Sequence, residues 1–410
     1  MWKNLLFRFL DAGIRTGRLT VTLADGTRRP FGDPATGPDV AITLRDADLP
    51  RKLVMNLELA TCEAYMDERL LIDGDDLRGL LTLALSNRLR RDGMEWQRPL
   101  AALRRALRRV AQWNPVGRAQ DNVAHHYDLS GALYDLFLDS DRQYSCAYWP
   151  RPGMTLEQAQ EAKKHHIARK LLLRPDLRVL DIGCGWGGMA LTLARDYGLR
   201  VTGVTLSREQ HQIATARVRD AGLEDRVDIR LQDYRQLDQQ FDRVVSVGMF
   251  EHVGTPHYRE YFRHVHDFLA PDGVALIHTI GRASPPGTTN DFIRKYIFPG
   301  GYVPALSETM AAVERQELFA TDIEIWRLHY AETLKVWHDR FMANIDAARA
   351  LYDDRFCRMW RLYLLASELT FRLSTQVVFQ IQIARRQDAV PLTRDYLLPA
   401  ESHPTAQAAQ

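Results

Sequence analysis

Cysteine is scarce, with four in 410 residues at positions 62, 146, 184 and 357. So few thiols at such irregular spacing form neither a disulfide framework nor a metal-ligand set, and they suit a reducing compartment. Long apolar runs are missing too. Nowhere do about 18 uncharged apolar residues follow one another, so no segment is expected to span a bilayer. The start, Met1 to Arg8, carries too short an apolar run for a secretory signal. An excess of one charge is likewise absent: 54 basic residues nearly balance 52 acidic ones, which excludes the global field of a nucleic-acid binder. These absences predict a soluble, cytoplasmic protein. Its length allows one large core and a smaller domain.

What is present is organised around Val179 to Gly188, Val-Leu-Asp-Ile-Gly-Cys-Gly-Trp-Gly-Gly. Residues 178–182 are apolar and β-branched, so they read as a buried parallel strand. Glycines follow, and Met189 to Tyr197 reads as a helix. A strand that breaks into glycines and reopens as a helix brings bare backbone N–H groups close to a ligand. Gly183, Gly185 and Gly188 satisfy the dinucleotide pattern G-x-G-x-x-G. The extra Gly187 and the acidic Asp181 at the strand end point instead to S-adenosylmethionine (SAM), whose sulfonium and ammonium suit a carboxylate and which has no pyrophosphate. An NAD site also wants an acidic residue about 20 residues on. The second strand here ends in Thr205-Leu-Ser207, with no carboxylate before Glu209.

Residues 1–113 are expected to form a separate α+β unit. Gly17 to Leu23 alternates and meets Ala24-Asp-Gly26, a hairpin signal. Residues 40–44 suggest another strand, residues 53–67 a helix, and residues 72–76 a turn capping a helix over 77–90. Glu58, Glu63 and Asp67 read as a solvated helix face. In Pro99 to Trp113, leucines at helical spacing oppose Arg104, Arg105, Arg108 and Arg109. This is a basic amphipathic linker helix, packed on the next domain or laid on an anionic membrane surface.

The catalytic domain is expected over 114–398, with a disordered tail at 399–410. Residues 115–175 crowd polar and aromatic groups without helical or strand periodicity, as in a lid or pocket wall. The pairs His125-His126 and His165-His166 have no carboxylate or cysteine to complete a ligand set, so no metal is expected. From 178 to about 280 strands alternate with helices, which predicts an α/β, doubly wound parallel sheet. Its ligands bind beyond the strand C-termini at the switch point. Asp181, Thr205, Asp233, Glu251 and His278 fall at those ends or in the fifth strand, with Asp233 set to accept from an adenine amino group. Residues 285–301 form a helical insertion over the sheet's ligand edge, and residues 377–383 are expected to close the sheet.

Several blocks together carry a family resemblance: Asn122 to Asp128, Tyr144-Ser-Cys-Ala-Tyr148, Val179 to Gly188, Gly203-Val-Thr-Leu-Ser207 with Gln210, Phe250-Glu-His-Val-Gly254, His278-Thr-Ile-Gly281, Tyr330 with Thr333-Leu334, and Phe379-Gln380. In order over roughly 115–390, they resemble the cyclopropane-fatty-acyl-phospholipid synthase family, and the N-terminal unit looks like that of the bacterial phospholipid enzymes. The resemblance implies a Rossmann-like SAM-dependent C-methyltransferase with SAM as co-substrate. It places Tyr144 and Ser145 against SAM from the lid side, and Asp181, Gly183, Gly185 and Gly187 around its amino-acid and ribose part. Thr205, Leu206 and Gln210 would meet the ribose and adenine, and Asp233 the adenine. It also implies bicarbonate held by Cys146, Glu251, His278, Tyr330 and the backbone of Ile280. Where some members have a further cysteine this chain has Ser367. The implied partners are phospholipid with unsaturated acyl chains and the inner membrane surface, approached as a peripheral protein. A homodimer is compatible, and nucleic acid is not among the partners.

The chemistry explains the residue types. An isolated alkene is a poor nucleophile, so methyl transfer needs an aligned sulfonium and leaves a carbocation. Water would quench that cation, so the pocket must be dry. The faces of Tyr144, Tyr148 and Tyr330 would stabilise it. A small anionic base then takes a methyl proton and the ring closes. Two anions side by side repel, so bicarbonate beside Glu251 implies a protonated partner such as His278. The alternative outcome is C-methylation of the same chains, to a methyl-branched or methylated unsaturated product.

Overall fold

A computed structural model describes residues 1–87 and 131–397. The expected linker helix at 99–113, the 113/114 boundary, the Asn122–Asp128 block, the pair His125-His126 and the tail lie outside the described residues.

The N-terminal unit is a four-stranded sheet in the order β2-β1-β3-β4, built from β1 (Gly17–Thr22), β2 (Arg28–Asp33), β3 (Asp39–Leu44) and β4 (Leu70–Ile72). The expected hairpin is β1–β2, antiparallel with Thr22 opposite Arg28. Alternation buries Leu19, Val21, Val40 and Ile42 beneath Leu6, Phe7 and Leu10 of the helix Trp2–Gly13. The helix expected over 53–67 is two, Leu49–Met55 and Leu57–Met66. They break at Asn56, whose Oδ1 accepts from the Leu59 N–H and caps the second. Asp76 caps the helix Leu77–Ser86 by accepting from the Gly79 N–H at 2.7 Å.

The large sheet has seven strands: β5 (Arg178–Ile182), β6 (Arg200–Thr205), β7 (Val227–Leu231), β8 (Phe241–Val247), β9 (Leu269–Arg282), β10 (Phe319–Trp326) and β11 (Gln376–Ala384). Their order is β10-β11-β9-β8-β5-β6-β7. β5 to β9 pair in parallel, while β11 is antiparallel to both β9 and β10. Strands β5 to β9, the stretch expected to be parallel, are parallel, and β10 and β11 make the sheet as a whole mixed. Residues 376–384 are an inner strand, and the edge is β10, a strand that sequence reading missed. Strands in the middle are buried on both faces: Ala275 and Ile277 of β9 join one core cluster and Leu276 the other. The strand order reverses between β8 and β5, and this is the switch point where a crevice opens.

The helix Asp354–Leu373 joins the two units, since Trp360 and Leu364 share a cluster with Tyr65, Met66 and Leu77 of the N-terminal unit. Ion pairs rim this contact: Arg355–Asp67 at 2.8 Å, Lys295–Glu63 at 2.6 Å and Arg78–Glu368 at 2.7 Å. Asn290 donates to Glu58. Glu58, Glu63 and Asp67 thus face the catalytic unit, a correction to the solvated-face reading. Helical periodicity shows that they share a side but not what covers it.

Candidate active site

At the end of β5 the chain turns through Gly183 and Gly185, both at positive φ (81° and 55°), before the helix Gly188–Tyr197. The Gly183 and Cys184 N–H groups donate to the Val204 carbonyl, pinning the turn to β6. A side chain at Gly183 would strike Met249, whereas one at Gly185 would enter open space. That space is a cavity also lined by Tyr144, Ser145, Asp181, Thr205, Leu206, Gln210 and Asp233. The structure thereby gathers nine of the expected SAM-binding residues around one cavity. Gly187 is the exception: at φ 82° it packs on Ala214, so its absent side chain permits close helix approach.

Asp181 is buried, and its Oδ2 has no hydrogen-bond partner among the described residues. Burial pushes its carboxyl up to about 7, against the pull of the Lys163 ammonium. A buried, orphaned acceptor facing a cavity calls for a cationic or N–H donor from a ligand, as the amino-acid part of SAM would provide. Thr205 Oγ1 donates to Gln210 Oε1 at 2.9 Å, and Ser207 caps the helix Arg208–Asp220. Asp233 lines the cavity with both oxygens engaged. Its Oδ1 accepts from the Arg235 N–H and Nε, each at 2.9 Å, and its Oδ2 accepts from Nη2 at 2.7 Å. This carboxylate lines the cavity as half of an ion pair rather than as an open acceptor for adenine.

The lid residues form no regular element and are held by side chains. The Tyr144 and Tyr363 hydroxyls share a 3.0 Å hydrogen bond, and the Tyr144 ring stacks on Trp337. Ser145 Oγ accepts from Lys163 Nζ at 2.7 Å, while Gln160 donates to the Gln143 and Ser145 carbonyls. Lys163 and Met249 escaped sequence reading. Lys163 lies in a polar helix, Leu156–Lys170, that is buried only because lid and sheet close around it.

The second group centres on strands β8 and β9. Glu251 sits in a short turn after β8; its Oε1 accepts from the Ile280 N–H at 2.7 Å, and its Oε2 is buried with no partner among the described residues. Burial raises its carboxyl to about 7. The Ile280 amide, expected to hold bicarbonate, is here directed at Glu251. Gln380 Nε2 donates to His278 Nδ1 at 3.1 Å, and the His278 ring meets Trp326 edge-on. Burial, with Lys163 and Lys170 nearby, holds His278 well below its ordinary pKa. His278 is thus neutral, with its proton on Nε2. The Cys146 thiol is pushed far up by burial and donates to the Ala147 carbonyl. Tyr330, in the first turn of the helix His329–Ala343, meets Trp337 and Phe371. Tyr148, expected to offer a ring face to a cation, stacks against His166 and Trp326, which touch each other as well.

The histidine pair His165-His166 also needs correction, because Glu161 and Asp196 do gather at His165, with ligand atoms within 4.8 Å of one another. Lys164 pairs with Glu161 and Arg195 with Asp196, so the cluster is already charge-balanced.

Residues 116–381 match the family model for mycolic acid cyclopropane synthetase, and residues 8–90 match one described as a domain of unknown function. The chain is 38% identical to the cyclopropane-fatty-acyl-phospholipid synthase of Escherichia coli K12, over 84% of this chain and 87% of that protein. It is 42% identical to a Pseudomonas putida protein named "Probable fatty acid methyltransferase", over 61% of this chain and 65% of the relative. Mycolic acid cyclopropane synthase CmaA1, solved in complex with SAH and CTAB, superposes with a TM-score of 0.63 at 33% identity, covering 66% of this chain and 99% of that one. No helix among the described residues is long and apolar enough to cross a membrane. With this glycine turn, this buried carboxylate and these matches, the chain belongs to the mycolic acid cyclopropane synthetase family.

Proposed function

We propose that the protein catalyses SAM-dependent transfer of a methylene group to the cis double bond of an unsaturated acyl chain in membrane phospholipid, giving a cyclopropane ring. The observation that carries this reading is two buried carboxylate oxygens without a hydrogen-bond partner among the described residues, Asp181 Oδ2 beside the glycine turn and Glu251 Oε2 in the turn after β8. When bound, SAM supplies an electrophilic methyl group. The cavity beside Asp181, with the chemistry of its lining residues, supports binding there. Tyr144, Trp337 and Tyr363 close off the lid side with aromatic surface, which excludes water from a cationic acyl chain. Glu251, neutral His278, Cys146 and Tyr330 would hold bicarbonate, with Glu251 Oε2 offering an acceptor and His278 Nε2–H a donor. Bicarbonate bound there would supply the base for the last proton. Such a substrate sets the protein to work peripherally at a membrane surface.

The test is incubation of purified protein with SAM, bicarbonate and vesicles of cis-monounsaturated phospholipid, followed by mass analysis of the acyl chains. A gain of one methylene with loss of the double bond, without an open methyl branch, is the expected result. No modified lipid under these conditions would remove the proposal. Likeness to the Pseudomonas putida relative supports a second reading, C-methylation to a methyl-branched or methylated unsaturated chain, and the same analysis separates the two.

A further inference from the structure

Lys163 is fully buried, yet among the described residues no carboxylate pairs with it; its Nζ donates to Gln143 Oε1 at 2.6 Å and to Ser145 Oγ at 2.7 Å. Both acceptors are neutral, and both line the donor cavity from the lid side. Burying an ammonium against neutral groups is unfavourable compared with an apolar side chain of similar size. Packing alone therefore does not explain a lysine here. Its neighbour in the helix behaves differently: Lys164 pairs with Asp141 at 2.8 Å, and Arg217 ties Asp141 to the Trp186 carbonyl. The segment is thus latched from outside by ordinary ion pairs. Lys163 grips the two residues that face the ligand.

We propose that Lys163 is a positioning residue of the donor site, its ammonium holding Gln143 and Ser145 over the glycine turn. The same charge favours the ionised form of Asp181. The inference rests on the reading of this cavity as the SAM site. The charged and titratable groups that face Lys163 are Asp139, Asp141, Lys164, Cys146, Asp181 and His278. Burial draws the Lys163 ammonium down to about 8, so its charge is lost in mildly alkaline solution. Asp181 is the one that combines a cavity-lining position with an oxygen lacking a partner.

The experiment compares wild type with Lys163→Met, of similar length and no charge, and Lys163→Arg, which keeps the charge but replaces the single Nζ bridging Oε1 and Oγ. Calorimetric titration with SAM across pH gives the dissociation constant and the pH at which binding half-fails on acidification. Steady-state kinetics give KM for SAM and kcat separately, and thermal melts report folding. Lys163→Met is expected to bind SAM at least about tenfold more weakly, to raise KM for SAM more than it lowers kcat, and to shift the acid midpoint upward as Asp181 loses its cation. Lys163→Arg is expected to restore the midpoint while affinity stays reduced. A folded Lys163→Met with wild-type affinity and midpoint would overturn the inference. Should that variant not fold, wild-type affinity in Lys163→Arg overturns it equally. Failure of wild type itself to bind SAM would instead remove the donor-site reading.

Discussion

Replacing Asp181 by asparagine should make the protein more stable and less able to bind its methyl donor. Burial raises the Asp181 carboxyl from 3.8 to about 7. Between those values the folded chain keeps a proton that the unfolded chain has released, so stability falls as pH rises, and the full penalty is in place above pH 7. At about 1.4 kcal/mol for each pKa unit, the penalty is on the order of 4 kcal/mol. Asparagine is neutral throughout, but its amide inherits a site with too few partners, so a gain of about 2 kcal/mol is expected at about pH 8. In a chain of this size that raises Tm by roughly 2–3 °C. The gap should narrow below pH 7, close at about pH 5, and reverse by about 2 kcal/mol at about pH 3, where the aspartate is protonated in both states. SAM affinity at about pH 8 should meanwhile fall by about 10- to 100-fold, the worth of one charge-assisted hydrogen bond. Scanning fluorimetry across pH and calorimetric titration measure the two effects. No stabilisation at alkaline pH would refute the burial argument; stabilisation with unchanged affinity would refute the assignment of the carboxylate to the ligand.

Glu251→Gln should leave SAM binding intact and lower turnover by about 100-fold or more, read from lipid product at saturating SAM. With the Glu251 carboxyl raised to about 7, wild-type turnover should fall as pH drops through that value, and the variant's residual rate should lack this dependence. Gly183→Ala forces a left-handed alanine whose Cβ lies 2.9 Å from that of Met249. It should cost about 1–2 kcal/mol in melts and weaken SAM binding. Glu368→Ala strips the shared partner from Arg78 and Arg372 at the contact between the two units. A loss of about 1–3 kcal/mol, with earlier proteolysis of the N-terminal unit, is the expected outcome.

Local chemistry made much of the fold legible. The β-branched run over 178–182 and its glycines specify strand, turn and helix without help from elsewhere, because only glycine adopts those positive φ values cheaply. Alternation in 17–22 and 39–44 likewise identified strands that bury one face. β10 was illegible for a matching reason: Asp322 and Glu324 make it read as polar, and only the partners brought by the helix Leu156–Lys170, namely Lys170 and His166, show why they belong in a sheet.

Residue identity alone placed Asp181, Thr205, Gln210, Glu251 and His278 near strand ends, since period and topology carry them there. Their charge states depend on groups far away in sequence. Lys163 and Lys170 help keep His278 neutral, Arg235 neutralises Asp233, and the closed lid raises Asp181 and Glu251. Backbone preference is a property of a few neighbouring residues, and a sequence displays it. Desolvation is a property of everything that surrounds a side chain, and only the assembled tertiary structure decides it.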